Sequence, residues 1–242
     1  MEPIENLVKK LTLHSELEKA DIAAIQTLAC RFRRLTPGQD FIRQGDKPKE
    51  SAIVAEGVLA RYHTLSNGGR QYLSLHITGD WPDAQGLFLN QMDHSVCAVG
   101  AASLITVPHR DLIRVFRSRP NVAFAVWRET LIDAAIFREA ITNNSSRPGN
   151  ARIAHFFAEV FFRSEAMDLV SNSSCALPLS QTQIGEALGM SIATVSRHLK
   201  QLRKAKAADL RSGRLVVSNF ARLSEIGDFK PIYLHSVVQR RV

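Results

Sequence analysis

Residues 181–200 read QTQIGEALGMSIATVSRHLK, and their spacing predicts two short helices that pack on each other. Ser180 and Gln183 stand three apart, which is the spacing of a capping box at the start of the first helix. Residues four apart on a helix share one face. Four apolar side chains at that spacing would form a common buried face: Ile184, Leu188, Val195 and Leu199.

The turn between the two helices is predicted from four residues. Gly189 suits the left-handed residue that ends the first helix, and Ser191 can cap the second helix. Gly185 offers no side chain where the second helix would cross closely, and Met190 would fill the corner. A tight glycine turn between two short helices is typical of a helix-turn-helix.

The second helix presents a polar and basic face away from that core. The N-terminal part of such a helix enters the major groove of DNA. Arg197 is suited to a bidentate contact with guanine, and Ala193 to a thymine methyl group. Basic residues farther along suit phosphate contacts, which supply affinity rather than specificity. The candidate DNA-binding residues are Ser180, Gln181, Ser191, Ile192, Ala193, Thr194, Ser196, Arg197, Lys200, Arg203, Arg211 and Arg214.

The positive charge of the chain is concentrated around this motif. The formal net charge is +8, and residues 147–242 hold 14 Lys and Arg against 7 Asp and Glu. Within residues 190–214 the only acid is Asp209, against seven bases. Such a segment attracts nucleic acid or an anionic membrane face, although a solvated helix surface has the same composition.

Composition predicts a cytoplasmic globular protein. A length of 242 residues suggests about two domains, and 45% hydrophobic residues are ordinary globular usage. No apolar run approaches the ~20 residues that a membrane span needs. Residues 1–5 show no signal-peptide pattern. Three widely spaced cysteines, Cys30, Cys97 and Cys175, argue against a disulfide framework or a cysteine-rich metal site.

The front of the chain reads as an antiparallel barrel. Between residues 32 and 108, short apolar runs alternate with glycine turns at roughly ten-residue spacing. The pair Asn67-Gly68 is the strongest hairpin signal among them. Before this block, residues 7–28 have helical periodicity and predict one or two short helices packed on the barrel.

Two helices are predicted after the barrel, over residues 109–118 and 122–142. The second is too apolar for a helix with one face in water, so it is either buried within the monomer or packed against a second copy, and its imperfect heptad favours the dimer. Residues 143–149 read as a linker. We therefore expect three domains or segments: 1–108 with the N-terminal helices and barrel, 109–146 with the connecting and dimerisation helices, and 147–242 with the DNA-binding domain.

The C-terminal segment continues with a helix over residues 151–163. Residues 171–178 read as a polar loop that precedes the helix-turn-helix. After it, residues 210–217 predict a β-hairpin that turns at Ser212-Gly213. Arg211 and Arg214 flank that turn, as in a wing that touches the DNA backbone.

The chain resembles the Crp/Fnr family of bacterial transcription regulators. The resemblance is strongest from Ile184-Gly185 to Thr194-Val195-Ser196-Arg197, and continues in Arg152-Ile153-Ala154 and in the barrel-turn glycines. It implies an α+β fold with a cyclic-nucleotide-binding-type, jelly-roll-like β-barrel, a long dimerisation helix and a C-terminal winged helix-turn-helix. It also implies a homodimer on a palindromic operator in double-stranded DNA, with RNA polymerase as a further partner.

The effector segment departs from the family pattern. Cyclic-nucleotide sensors of the family have Gly-Glu-Leu and, about ten residues later, an arginine that neutralises the phosphate. This chain has Asp80 in place of the glutamate and His94 in place of the arginine, and imidazole is a much poorer phosphate ligand than guanidinium. Cyclic AMP is therefore not the expected ligand. The candidate effector-pocket residues are Gly79, Asp80, His94, Ser95, Phe137 and Arg138.

We expect no resident cofactor. The oxygen-sensing branch of the family holds an iron–sulfur cluster on N-terminal cysteines, and this chain has none before Cys30. His76 or His94 would have to ligate a haem, but a lone strand histidine is more often a packed residue. Cys97 is more simply a buried structural cysteine than a redox thiol.

Three classes of function follow from these patterns. The first is a homodimeric, sequence-specific DNA-binding regulator that does not respond to cyclic AMP. The second is a ligand-sensing module whose basic helical tail binds protein or an anionic surface. The third is an enzyme, but neither a catalytic motif nor metal-ligand spacing is present in the sequence. We therefore expect no catalytic residues and no metal, and favour the first class.

Overall fold

The computed structural model describes residues 3–235, which divide into two compact units. The first contains residues 3–63 and 74–134, and the second contains residues 64–73 and 135–235. The predicted domain limits at 108 and 146 coincide with the ends of a strand and of a helix, whereas the units divide the chain within that helix. The domain limits therefore stay predictions.

The first unit begins with two helices, α1 (Pro3–Thr12) and α2 (Lys19–Gln26). Apolar residues of α1 recur at three- and four-residue spacing, which places Ile4, Leu7 and Leu11 on one buried face. The helical periodicity of residues 7–28 thus corresponds to two short helices.

Seven strands form the barrel, and all of their residues except 64 and 70–73 belong to the first unit. They are β1 (Arg31–Leu35), β2 (Asp40–Ile42), β3 (Glu50–Glu56), β4 (Leu59–Thr64), β5 (Arg70–His76), β6 (Ser95–Ala98) and β7 (Ala102–Pro108), with a 3₁₀ turn at Ala84–Leu87 between β5 and β6. The strand orders of the two sheets are β1-β7-β3 and β2-β6-β4-β5. β7 pairs antiparallel with β1 and β3, and β6 with β2 and β4. This architecture confirms the predicted barrel, including the hairpin at Asn67-Gly68.

Alternation along the strands divides the apolar core into two layers. On β3, Ala52 and Val54 pack inside the barrel with Leu59 and Val96. Ile53, between them, packs on the opposite face, against apolar residues of α1, α2 and the long helix that follows. Successive side chains of a strand point to opposite faces, so one strand supplies both layers.

Two helices follow the barrel, α3 (His109–Ser118) and α4 (Pro120–Ser146). α3 has its predicted bounds, but the prediction of a linker over residues 143–149 was wrong for most of that range. α4 continues because Asn143 Nδ2 donates to the Arg152 carbonyl oxygen at 3.2 Å and Asn144 Nδ2 donates to the Ala187 carbonyl oxygen at 3.2 Å. These long-range partners favour the helical conformation of residues with low helix propensity.

The second unit contains the C-terminal elements. They are α5 (Gly149–Ala166), β8 (Ser174–Ala176), α6 (Gln181–Leu188), α7 (Ile192–Lys204), β9 (Ala208–Arg211), β10 (Arg214–Val217) and α8 (Phe220–Gly227), with a 3₁₀ turn at Pro231–Leu234. β8, β10 and β9 form one sheet in that order. The predicted hairpin is confirmed, whereas the prediction of a polar loop over 171–178 missed β8. Cys175 is buried there and pairs with Leu215.

Candidate DNA-binding surface and effector region

The ends of α6 and α7 are fixed by the caps that the sequence predicts. Gln183 N donates to Ser180 Oγ at 3.2 Å, and Ser180 N donates to Gln183 Oε1 at 2.9 Å. Gly189 ends α6 with φ of +65°, in the left-handed region. Ser191 Oγ then accepts the backbone N–H of Thr194 at 3.2 Å. Both helices therefore begin at residues set by local hydrogen bonds.

The two helices share the predicted buried face. Ile184, Leu188, Val195 and Leu199 are all buried. Gly185 is required for a reason that the sequence did not predict in full: a Cβ atom there would lie 2.4 Å from the Met190 carbonyl oxygen. The close neighbour is thus the backbone of the turn rather than the body of the second helix.

The outward face of α7 carries the residues predicted to contact DNA bases. Ile192, Ala193 and Arg197 are exposed, as is Lys200 one turn farther on. Ser196 is half-buried. Because Val195 and Leu199 hold the opposite face in the core, this exposed stripe begins at the N-terminal end of α7 and runs along it.

Some of the predicted DNA-binding residues serve the caps. Ser180 Oγ also donates to Gln183 Oε1 at 3.0 Å, and Ser191 Oγ donates to Thr194 Oγ1 at 3.0 Å. Gln181 is exposed at the start of α6. The structure therefore separates outward-facing residues from residues whose side chains fix the helix starts.

Three predicted phosphate-binding arginines make contacts around the hairpin of β9 and β10. Arg203 Nη2 and Arg211 Nε both donate to the carboxylate of Asp209. Arg214 instead faces β8: its Nε donates to Ser174 Oγ at 2.9 Å and its Nη2 to the Ser174 carbonyl oxygen at 3.1 Å. The sequence identified Asp209 as the only acid among seven bases but gave no partner for it.

In the first unit, the predicted effector residues contact other side chains and backbone of the chain. Asp80 is buried and lies 3.0 Å from Lys10 Nζ. His94 is buried, with Nδ1 2.7 Å from Asp93 Oδ1 and Nε2 3.2 Å from Gln85 Nε2. Gly79 lies in the same unit, and Ser95 Oγ accepts the backbone N–H of Gln44 at 3.0 Å. Phe137 and Arg138 lie in the second unit, half-buried and exposed respectively.

The sequence reasoning missed Arg61, the central cation of this region. Arg61 is buried on β4; its Nε donates to the Pro82 carbonyl oxygen at 2.7 Å and its Nη1 to Asp133 of α4. A lone arginine within the apolar run Val58–Tyr62 was the available signal, because a buried arginine needs a partner.

Burial and the Arg61 charge shift two neighbouring groups. Burial raises the pKa of Asp83 to about 7, although the Ala52 backbone N–H and the Arg61 charge oppose the rise. Burial and the Arg61 charge both lower the pKa of His94, against the opposing effect of Asp93. His94 is therefore mainly neutral at pH 7, and it offers little to a phosphate.

Metal binding, membrane spanning and the cysteines are described for residues 3–235 alone. Over this range no group of three or more His, Cys, Asp and Glu side chains is arranged to hold a metal ion. Within the same range, no helix combines the length and the apolar character needed to cross a membrane. Of the cysteines, Cys97 and Cys175 are buried and Cys30 is exposed.

Two family models match the chain in the order of its units. A cyclic nucleotide-binding domain matches residues 32–119, and a Crp-like helix-turn-helix domain matches residues 151–226. The second match contains α6, α7 and the β9–β10 hairpin, where the capped helices and exposed bases lie.

Known proteins resemble the chain over most of its length. The transcriptional activator protein FnrL of Cereibacter sphaeroides is 25% identical over 202 residues, which cover 81% of each chain. The fumarate and nitrate reduction regulatory protein of Vibrio cholerae is 19% identical over 219 residues, 90% of this chain and 87% of that protein.

The fold is also that of a solved structure. FixK2 from Bradyrhizobium japonicum superposes with a TM-score of 0.72 at 23% identity, over 82% of this chain and 98% of that chain. The predicted α+β architecture is thereby confirmed. Taken together, the helix-turn-helix geometry, the family models and the relatives show that the chain belongs to the Crp/Fnr family of DNA-binding transcription regulators.

Proposed function

We propose that the chain acts as a homodimer on a two-fold symmetric operator, with the N-terminal half of α7 in the major groove of each half-site. The observation that carries this proposal is the exposed stripe of α7. Arg197 lies on that stripe, opposite the buried residues Val195 and Leu199. It belongs to the N-terminal half of α7, which is the part of a recognition helix that contacts base edges. Within residues 190–214, seven bases stand against one acid, and this excess of positive charge supports a polyanionic partner.

The residues of α7 divide into two roles. Arg197 presents a planar guanidinium that can contact guanine O6 and N7 together, and Ala193 can contact a thymine methyl group. Lys200 and Arg203 suit the phosphate backbone, which fixes register without reading sequence. Family members usually have a glutamate at the position of Ala193. Its absence removes an acceptor for cytosine N4, so this operator should differ at the corresponding base pair.

An exposed apolar face of α4 supports the homodimer. Phe124, Trp127 and Leu131 follow at three- and four-residue spacing, which places them on one side of the helix. They are 60%, 61% and 53% exposed in the single chain. Three large apolar side chains on one exposed helical face indicate an interface, and two copies of the same face satisfy the symmetry of a two-fold dimer.

The front domain does not fit a cyclic nucleotide. A cyclic phosphate needs a cation, and Arg61, a buried cation of this region, already donates to the Pro82 carbonyl oxygen and to Asp133. Asp80, the counterpart of the family's ribose-binding glutamate, is paired with Lys10. We infer that the domain retains the fold of a cyclic nucleotide-binding domain while its own side chains take the contacts that the nucleotide would need.

Three further expectations rest on the family. RNA polymerase is the protein partner through which such a regulator acts, and the cytoplasm is where it would act. The family consists of transcription regulators rather than enzymes, which supports the absence of a catalytic role. A basic tail that binds protein or anionic lipid is the alternative, and a measurement of salt-dependent binding to duplex DNA would distinguish the two.

Selection from a pool of randomised duplexes tests the proposed function. The full-length chain is expected to enrich a two-fold symmetric sequence and to sediment as a dimer. Trp127→Glu, which places a charge on the exposed α4 face, should shift the sedimentation coefficient to that of a monomer and weaken duplex binding. A strictly monomeric wild-type protein that binds no duplex even at low salt would overturn the proposal.

A further inference from the structure

The basic segment around α7 contains one buried acid that holds two arginines. Asp209, on β9, is buried, whereas the Arg203 and Arg211 side chains are more than half exposed. Arg203 Nη2 donates to Asp209 Oδ1 at 2.8 Å, and Arg211 Nε donates to Asp209 Oδ2. The Leu210 backbone N–H also donates to Oδ1 at 3.0 Å. One carboxylate therefore connects the end of α7 to the β9–β10 hairpin.

The carboxylate is ionised in this arrangement. Burial opposes ionisation of Asp209, but the hydrogen bonds and charges of Arg203 and Arg211 outweigh it, so the pKa of Asp209 lies below its ordinary value. Asp209 in turn raises the pKa of Arg203. The two guanidinium groups would repel each other without a shared anion, and the anion keeps them side by side.

We propose that Asp209 is a positioning residue for DNA binding, which orients Arg203 and Arg211 as a pair of phosphate ligands. A guanidinium carries five N–H donors, and each arginine donates one of them to Asp209 in the contacts described. The exposed donors that remain can then reach phosphate oxygens from a fixed geometry, so less side-chain freedom is lost on binding. This inference rests on the proposed DNA-binding function and adds a residue that does not itself touch DNA.

Charge and positioning predict opposite effects of removing Asp209. Asp209→Asn deletes a negative charge beside a polyanion, so electrostatics alone would strengthen DNA binding. Loss of positioning would weaken it, because the two arginines would separate and each would have to be ordered by the DNA. The sign of the change therefore distinguishes a positioning role from a charge that is merely tolerated.

The experiment measures binding of the full-length chain to a mixed-sequence duplex of about 40 base pairs between 50 and 200 mM salt, a range over which phosphate contacts dominate affinity. Asp209→Asn is expected to weaken binding about five- to tenfold and to reduce the slope of log affinity against log salt by about 1 to 2, since each phosphate contact contributes about 0.9. Glu225→Gln, the same charge change at an exposed site on α8, is the matched control and should bind at least as tightly as wild type.

A second pair of variants tests the proposal even if Asp209→Asn does not fold. Arg203→Ala and Lys204→Ala remove the same charge from adjacent exposed positions at the end of α7. Arg203→Ala should weaken DNA binding more than Lys204→Ala does. Asp209→Asn should reduce the affinity of the Arg203→Ala protein by a smaller factor than it reduces the affinity of the wild-type protein. Equal effects of the two alanine variants, or tight binding by a folded Asp209→Asn protein, would overturn the inference. Failure of the wild-type chain to bind duplex would instead contradict the proposed function.

Discussion

Arg61 on β4 and Asp133 on α4 form an ion pair across 72 residues of sequence, within the first unit of the chain. The guanidinium is buried and also donates to the Pro82 carbonyl oxygen. The barrel is thus joined to the long helix by a charged contact.

Arg61→Met should destabilise the first unit. The variant keeps most of the side-chain volume but leaves Asp133 and the Pro82 carbonyl oxygen without this donor. Breaking a buried ion pair costs about 3–5 kcal/mol, and because the Asp133 side chain keeps 28% exposure we expect about 2–4 kcal/mol from urea denaturation. Arg110→Met, at an arginine side chain that is 87% exposed, is the control and should cost about 0.5 kcal/mol or less. Equal effects would contradict the prediction.

Asp83 should make stability fall with rising pH. Its pKa is about 7 in the folded chain because of burial, against an ordinary value of 3.8. Between these values the folded state holds a proton that the unfolded state has lost, so the free energy of unfolding decreases as pH rises from about 4 to about 7. The full decrease is about 4 kcal/mol, and it persists above pH 7.

The measurement for Asp83 is the difference in unfolding free energy between wild type and Asp83→Asn. Urea titrations at several values between pH 4.5 and 8 should show wild type losing stability relative to the variant as the pH rises. The Ala52 backbone N–H, which donates to Asp83 at 3.0 Å, retains an acceptor in asparagine. A difference that stays constant across this range would show that Asp83 does not titrate as described.

Gly185→Ala should disrupt the turn of the helix-turn-helix. Helix propensity alone would make alanine better by about 1 kcal/mol. The added Cβ would lie 2.4 Å from the Met190 carbonyl oxygen, a backbone atom, and such overpacking costs about 3 kcal/mol. We expect a lower thermal midpoint and weaker duplex binding than for Thr182→Ala, an exposed position on the same helix. A stabilised Gly185→Ala protein would mean that the turn can move.

Arg197→Ala should reduce sequence discrimination at one symmetric position of the operator. Loss of a bidentate guanine contact costs about 1–3 kcal/mol for the preferred base and little for the others. Lys200→Ala, in contrast, should weaken binding to all operators by a similar factor. Titration over base-substituted operators distinguishes a loss of preference at one position from a uniform loss of affinity. An unchanged base preference in Arg197→Ala would show that Arg197 does not read a base.

Local signals made the DNA-binding motif predictable from sequence. Ser180, Gly189 and Ser191 act through hydrogen bonds and dihedral angles within a few residues. Their spacing along the sequence therefore predicts where the two helices begin and end. The Arg61–Asp133 pair could not be predicted in this way, because neither residue has a sequence neighbour that indicates its partner. β8 was missed for a related reason: Ser174-Cys175-Ala176 is short and follows the polar residues 171–173, and its pairing with β10 makes it a strand.

The same limit explains the error at the end of α4. Asn143 and Asn144 are turn-forming residues by composition, and their helical state depends on acceptors contributed by α5 and α6. A run of polar residues that resembles a linker can therefore be helical when its side chains form hydrogen bonds to other elements of the fold. The sequence likewise identified Arg203 on α7 and Arg211 at the hairpin as basic residues, but not the contact of both with the Asp209 carboxylate.

Only Arg147 and Pro148 lie between α4 and α5. Arg147 is ion-paired with Glu139 at 2.8 Å, its carbonyl oxygen accepts Arg152 Nε at 2.8 Å, and the proline ring fixes one of the few dihedral angles available. This two-residue connection is therefore a rigid junction rather than a flexible linker. A rotation of the last turns of α4 would be transmitted directly to α5. If two copies pair along α4 as proposed, the twist between the paired helices would set the orientation of their two DNA-binding helices.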